Sequence, residues 1–239
     1  MSHHNDEENA NKRQKTGEDS RRPVLYSYWR STCSWRVRIA LALKDVDYEY
    51  TAVHLLRDGG EQLKDDYSAL NPMKEVPTLQ MHGHTLTQST AIIEYLDEMY
   101  SGKNPLLPKD PKDRAVVREL ASIIAADTQP VQNLRVLKHV MSNFAKEGEK
   151  DKVKLDWGNH WITNGFKGLE QRLKQTAGKY SFGDQITIVD LCLVPQVFNA
   201  GRFKVDMNQF PTIQRVHDAL AELPEFKKAH PENQPDANT

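Results

Sequence analysis

The residues Ser31-Thr32-Cys33-Ser34-Trp35-Arg36 set hydroxyl, hydroxyl, thiol and hydroxyl side chains in consecutive positions, with an arginine close behind. The run Val24-Leu25-Tyr26-Ser27-Tyr28 before them reads as a buried strand, and the segment from Trp35 onward as a helix. Side chains at a helix N-terminus lie beside unpaired backbone N–H groups and the positive end of the helix dipole. Such a place can hold a thiolate, the protein's own or a ligand's. Ser and Thr also stand before helices simply as caps. Taken alone, the segment leaves both readings open.

Elements that would position these residues follow from the hydrophobic pattern. Trp35, Ile39 and Leu43 recur every four residues on one face of a helix Trp35–Lys44. A strand Tyr48–Val53, a short helix Gln62–Leu70, a hairpin of Thr78–Met81 with Thr85–Leu86 around His82-Gly83-His84, and a helix Ser89–Tyr100 come next. This order predicts a compact α/β unit in which helix-linked parallel strands are closed by an antiparallel hairpin. Pro105, Pro108 and Pro111 then mark a linker. Beyond it the pattern is helical throughout. A helix through Val116, Leu120, Ile123 and Ile124 is expected to continue past a kink at Pro130 into Val131, Leu134, Leu137 and Val140. A charged loop Glu147–Lys152, a long helix through Leu155 to Leu173, a capping box at Thr187 and Asp190 ahead of a helix Val189–Phe198, and a last helix Pro211–Leu223 complete the reading. The expected organisation is thus α/β followed by all-α: a tail 1–22, an α/β domain 23–104, a linker 105–111 and an all-helical domain 112–239.

Composition excludes several classes of function. The chain has 239 residues, a net charge of −1 and 38% apolar residues, with a mean hydropathy of −0.69. That charge gives no general attraction to nucleic acid or anionic membranes, and no apolar run approaches the ~18 residues of a membrane span. Cys33 and Cys192 are the two cysteines; the first lies in the motif and the second in an apolar helix, so a reducing compartment is expected in place of a disulfide framework. Residues 1–22 are too polar to fold and lack the apolar core of a secretory signal, which predicts a disordered tail. His3-His4 has no third ligand in view, and His82 and His84 read as turn residues, so no metal is expected.

Four segments in order carry a resemblance: Ser31 to Leu41, Asn71-Pro72-Met73-Lys74-Glu75-Val76-Pro77-Thr78-Leu79, Gln88-Ser89-Thr90-Ala91-Ile92-Ile93-Glu94-Tyr95-Leu96, and Asp190-Leu191-Cys192-Leu193-Val194-Pro195-Gln196-Val197. Together they resemble the zeta class of the glutathione transferase family over about 24–235. The resemblance implies a thioredoxin-like domain followed by a helical one, glutathione as cofactor, a homodimer and a cytoplasmic location. The implied reaction is cis–trans isomerisation of maleylacetoacetate, a small dicarboxylate, to fumarylacetoacetate in tyrosine and phenylalanine catabolism. The alternatives it leaves are conjugation or dehalogenation of α-halo acids, and a non-catalytic binding module. The family usually carries Ser where Thr32 stands, and the region Asn143–Lys152 is longer here than the family norm.

The same resemblance implies roles. Ser31, Thr32 and Cys33 would be catalytic. Ser31 would hydrogen-bond the glutathione sulfur, with Thr32, Cys33, Ser34, Trp35 and Arg36 around it. Gln62 would touch the glycyl end, and the backbone of Val76, before a cis proline, would pair with the cysteinyl part. Gln88 and Ser89 would take the γ-glutamyl carboxylate at a helix N-terminus. Gln129 and Asn133, expected on the first helix of the second domain, would reach the ligand or the partner subunit. Arg202, Arg36 and Arg30 would bind the substrate's carboxylates, since arginine pairs with them in bidentate fashion. Cys33 has no second cysteine nearby, so a placing role is favoured over a dithiol cycle. Ionising a thiol near neutral pH requires a drop of about two pKa units, roughly 2.7 kcal/mol. One hydrogen bond to a charged group offers about 1.5–3 kcal/mol and a helix dipole about 0.3–1, so the dipole alone falls short.

Overall fold

The computed structural model describes residues 21–237. The expected tail up to residue 20, with His3-His4, lies outside them. The described chain divides into two compact units, one spanning Leu96–Lys228 and the other combining the residues before Leu96 with those from Ala229 on.

The first unit is built on a four-stranded sheet of order β2-β1-β3-β4, with β1 at Val24–Ser27, β2 at Glu49–Ala52, β3 at Thr78–Met81 and β4 at His84–Thr87. β1 and β2 run parallel, Val24 opposite Glu49, while β3 lies antiparallel to β1 with Leu25 opposite Leu79. The β3–β4 hairpin turns at His82-Gly83, both with left-handed φ (50° and 73°). Such a turn matches the twist of the flanking strands, which is why glycine suits its second position.

Helix α1 (Thr32–Lys44) connects β1 to β2. The expected stripe Trp35, Ile39, Leu43 is buried, but so is nearly every other side of the helix, including Arg36 and Arg38. A buried guanidinium needs partners, and Arg38 finds four: the Ala229, Tyr28 and Trp29 carbonyls and the Ser27 hydroxyl, at 2.8–3.3 Å. Asp45 ends the helix in the left-handed region (φ 54°), returning its N–H to Ala42 and Leu41. The expected helix Gln62–Leu70 is split: one tight turn Glu61–Leu63, an extended Lys64, then α2 (Asp65–Leu70). Helix α3 covers Ser89–Met99.

In the second unit α4 (Pro111–Ser122) begins where Asp110 accepts from the Lys112 and Asp113 N–H groups and proline sits at the first turn. The expected continuation past Pro130 does not occur. The chain widens into a π-turn at Ile123–Thr128, tightens at Pro130–Gln132, and starts a new helix α5 (Leu134–Phe144) capped by Asn133. Apolar spacing runs on through these breaks because each side still faces the core, so periodicity could not reveal them.

Helix α6 (Lys150–Thr176) begins inside the expected charged loop and buries Ile162, Phe166, Leu169 and Leu173. Gly158 and Gly165, two turns apart on α6, lie against neighbours: a Cβ at Gly158 would come within 2.2 Å of Phe203, and one at Gly165 within 2.0 Å of Thr128 Oγ1. Helix α7 (Ile188–Arg202) opens on the expected capping residues, the Asp190 carboxylate accepting from the Thr187 N–H at 2.7 Å. Full burial pushes this carboxyl above the ordinary carboxylate value, opposed by hydrogen bonds from Ser181 and Thr187. The expected last helix Pro211–Leu223 is α8 (Pro211–Ala221), and a further short helix that was not expected, α9 (Pro224–Ala229), follows it. Buried Glu170 on α6 accepts from the Thr212 and Ile213 N–H groups and so caps α8 in place of a local residue. No described helix is long and apolar enough to cross a membrane.

Candidate active site

Ser31 stands at the N-cap of α1 with φ −69° and ψ 119°, and its Oγ accepts from the Ser34 N–H at 3.2 Å. A hydroxyl that accepts this bond keeps its own proton to donate. The turn leading to it is held by a bond from the Ser31 N–H to the Tyr28 carbonyl, 2.9 Å. Thr32 is buried, and Cys33 is a free, partly exposed thiol in the first turn. Ser34 is fully buried and serves the turn through its backbone N–H. Trp35 is a packing residue, 2% exposed, with its ring edge-on to His230 at 5.1 Å.

The two arginines near this turn differ in a way the sequence does not reveal. Arg36, expected to meet substrate, is 1% exposed and points its Nη1 at the Ser89 hydroxyl, 3.3 Å away, while its Nε and Nη2 are buried without a partner. Such a group cannot meet a substrate arriving from solvent; it sets a positive charge behind Ser89. Arg30 is half-buried with its guanidinium over the Trp29 ring at 5.3 Å, which keeps it near the surface.

Gln88 adopts a left-handed φ of 69° and its carbonyl accepts the first bond of α3, from Ile92. Gln88 therefore occupies the cap position, and Ser89, expected there, is the first helical residue. A non-glycine residue in this region costs about 1–3 kcal/mol and persists where surrounding structure demands it. The Val76–Pro77 bond is cis, and among the described residues neither the N–H nor the carbonyl of Val76 has a hydrogen-bond partner. Buried Gln62 donates only a long bond to the Leu55 carbonyl, 3.5 Å, and its Oε1 has no partner. A side chain at Gly60 would come within 2.7 Å of the Gln62 amide. The orphaned amide oxygen of Gln62, with the open backbone at Val76, is what a polar, peptide-like ligand would satisfy.

His54, which sequence reasoning passed over, is fixed by the same loop. Its Nδ1 accepts from the Leu56 and Arg57 N–H groups at 3.2 and 2.8 Å, and its ring lies edge-on to Tyr28 at 5.1 Å. These bonds assign the proton to Nε2.

In the second unit Gln129 and Asn133 are not on a helix interior as expected. They flank the tight turn Pro130–Gln132, Gln129 closing the π-turn on Ile124 at 2.8 Å and Asn133 capping α5 through the Leu134 N–H at 2.7 Å. Arg202 ends α7 exposed, with Nη1 donating to Asn199 Oδ1 at 3.0 Å; Asn199 in turn donates to Gln132 Oε1 at 3.2 Å. A chain of two amides thus orients one guanidinium. Among the described residues no group of three or more metal-ligating side chains forms.

Comparison with known proteins decides what family these features belong to. Residues 30–99 match the family model described as the glutathione S-transferase N-terminal domain, and 136–229 match that of the C-terminal domain. A maleylacetoacetate isomerase of Dictyostelium discoideum is 53% identical over 214 residues, 90% of this chain and 95% of that protein. A maleylpyruvate isomerase described as a bacterial zeta-class glutathione S-transferase superposes with a TM-score of 0.84 at 45% identity, covering 90% of this chain and 99% of that one. This chain is a zeta-class member of the glutathione S-transferase family. A further maleylacetoacetate isomerase, from Anaeromyxobacter dehalogenans, is 40% identical with a TM-score of 0.79, covers 91% of this chain and 98% of its own, and was solved with dicarboxyethyl glutathione and citrate in its active site. In the zeta-class chain the expected thioredoxin-like domain is the sheet unit and the expected helical domain the unit of α4 to α8.

Proposed function

We propose that this chain catalyses the glutathione-dependent cis–trans isomerisation of maleylacetoacetate to fumarylacetoacetate. The observation that carries the reading is the Ser31 hydroxyl at the head of α1, its acceptor side engaged by Ser34 and its proton available. The relatives named maleylacetoacetate isomerase support it, and so does dicarboxyethyl glutathione, a thioether bearing two carboxylates, in the Anaeromyxobacter protein.

Glutathione, when bound, supplies a thiol able to add reversibly to the cis double bond, leaving a single bond free to rotate. What the chain supplies is placement and charge. Ser31 donates a hydrogen bond to the sulfur and, with the α1 dipole, favours the thiolate. Cys33 helps to place that sulfur, and Thr32 walls the site. The open backbone of Val76 pairs with the cysteinyl amide, Gln62 with the glycyl end, and the Ser89 hydroxyl, backed by Arg36, with the γ-glutamyl carboxylate. Gln129 and Asn133 complete the set of polar contacts to glutathione. Arg202, oriented by Asn199, and Arg30 are the cations for the substrate's carboxylates.

On this reading the glutathione-binding domain expected at 23–104 and the substrate domain expected at 112–239, joined by 105–111, keep their bulk, while the residues from Ala229 on, expected in the second, group with the sheet unit. The setting is a cytoplasmic homodimer working in tyrosine and phenylalanine catabolism; Cys33 and Cys192, which are not joined in a disulfide, suit a reducing compartment. The test is the isomerisation rate as glutathione is varied. A saturable, absolute requirement that S-methylglutathione cannot meet is expected. A rate independent of glutathione overturns the proposal, and turnover only of α-halo acids replaces it with a transferase.

A further inference from the structure

The last described segment hydrogen-bonds both β2 and the turn that carries Ser31, the latter more than two hundred positions away in sequence. Asp236 is buried, its Oδ2 accepting from the Trp29 N–H at 3.0 Å and its Oδ1 from the Tyr50 hydroxyl at 2.6 Å. Arg38 Nη2 donates to the Trp29 carbonyl at 2.8 Å and its Nε to the Ala229 carbonyl at 3.1 Å. Trp29 therefore has its N–H bound by a carboxylate and its carbonyl by a guanidinium. The next peptide leads through Arg30 to Ser31, whose N–H closes the turn on Tyr28. The His230 ring against Trp35 fastens the same segment to α1 at a second point.

A segment that only needed an anchor would have one in the Trp35–His230 contact and the Ala229 carbonyl. A charged, buried acceptor aimed at one backbone N–H fixes something narrower: the orientation of a peptide plane two residues before the thiol-binding hydroxyl. Charge-assisted bonds of this kind are short and directional. The environment is consistent. Burial lowers the Arg38 guanidinium to about 10, with Tyr50, Tyr48 and Asp236 opposing. The Tyr50 phenol is raised, by burial first and then by its bond to Asp236.

We propose that Ala229–Asp236 is a clasp on the Tyr28–Ser31 turn, and that Asp236 is a positioning residue that sets Ser31 for the thiol. The second half of this statement rests on the function proposed above; the first does not. It follows that the segment Ala229–Asp236 tunes the sulfur site through the backbone of the turn.

Two measurements on the full-length chain separate the parts, using Asp236→Ala and the volume-preserving Asp236→Asn. Amide hydrogen exchange without ligand is read at Trp29–Ser31. The clasp predicts exchange there faster by roughly tenfold or more in Asp236→Ala and less in Asp236→Asn, with the β3–β4 hairpin unchanged. Unchanged exchange at the turn in both variants overturns the clasp. The ultraviolet absorbance of bound glutathione thiolate is then titrated with pH. Positioning predicts a thiol pKa higher in both variants than in the parent, while affinity for S-methylglutathione stays within about twofold. Faster exchange with an unshifted thiol titration makes Asp236 structural only and overturns the positioning role. If the parent chain itself binds no glutathione, the proposed function fails, and the exchange result still decides the clasp.

Discussion

Removing the Ser31 hydroxyl separates two roles that one atom performs. As the cap of α1 it accepts from Ser34 at 3.2 Å; a Ser→Ala change at such a position costs about 0.5–2 kcal/mol, typically ~1. For a chain of this length that is roughly 2–4 °C in Tm. As donor to a thiolate it supplies about 1.5–3 kcal/mol, which converts to about one to two pKa units in the bound thiol. Near pH 7 the thiolate fraction then falls about 10–100-fold, and kcat/KM with it. Ser31→Asp sharpens the test, because Asp caps as well as Ser but sets a negative charge beside the sulfur. It should keep the parent's Tm and lose the thiolate. The assay is the pH titration of bound glutathione by ultraviolet absorbance, run beside thermal unfolding and the isomerisation rate. An unshifted thiol pKa in Ser31→Ala, with Tm lowered by the cap's share, would refute the reasoning and move the sulfur contact to Thr32.

Other predictions are read from single contacts. Arg202→Ala should raise the KM for the dicarboxylate about 10–100-fold, the worth of one hydrogen bond between charged groups, and leave the KM for glutathione alone; equal changes in both discard the assignment. Cys33→Ala should retain most isomerase activity, and complete loss would make the thiol a reactant. Gly165→Ala, whose Cβ would meet Thr128 Oγ1 at 2.0 Å, should lose about 1–3 kcal/mol, whereas Gly168→Ala on the same helix, with open space around it, should not; equal Tm values for the two contradict the close packing described. Burial lowers the His230 pKa, Glu232 opposing and Arg38 adding to the effect. The unfolded chain therefore takes up its proton first, near pH 6.5. The contribution of His230 to stability is fully present above that value and is lost as pH falls through the lowered native one. His230→Gln should flatten the decline of Tm between about pH 7 and 5, and an unchanged slope rejects the coupling.

The sheet unit was largely legible because its signals are local. An apolar run, hydroxyls before a helix, a His-Gly hairpin and an X-Pro bond each act within a few residues. The helical unit read well where burial is one-sided, as along Ile162, Phe166, Leu169 and Leu173. It failed where helices break without a break in hydrophobicity. Ile123–Thr128 keeps its apolar spacing through a π-turn, and Glu170 caps a helix more than forty residues on. In the site, the type of each residue pointed to its chemistry, but its depth did not follow. Arg30 and Arg36 look alike in sequence; the latter is sealed behind Ser89 because α1 is covered on nearly every side. Asp236 was invisible for the plainest reason, since its partners Trp29 and Tyr50 lie far back along the chain and no local pattern announces the return.

One reaction tests the central claim most directly. Maleylacetoacetate and a known amount of glutathione are mixed with the enzyme, and fumarylacetoacetate and total free thiol are followed together. The account predicts many turnovers to the trans product with the thiol unchanged at the end, because the sulfur that adds also leaves. Product formed without glutathione, or one thiol consumed for each substrate converted, would contradict it.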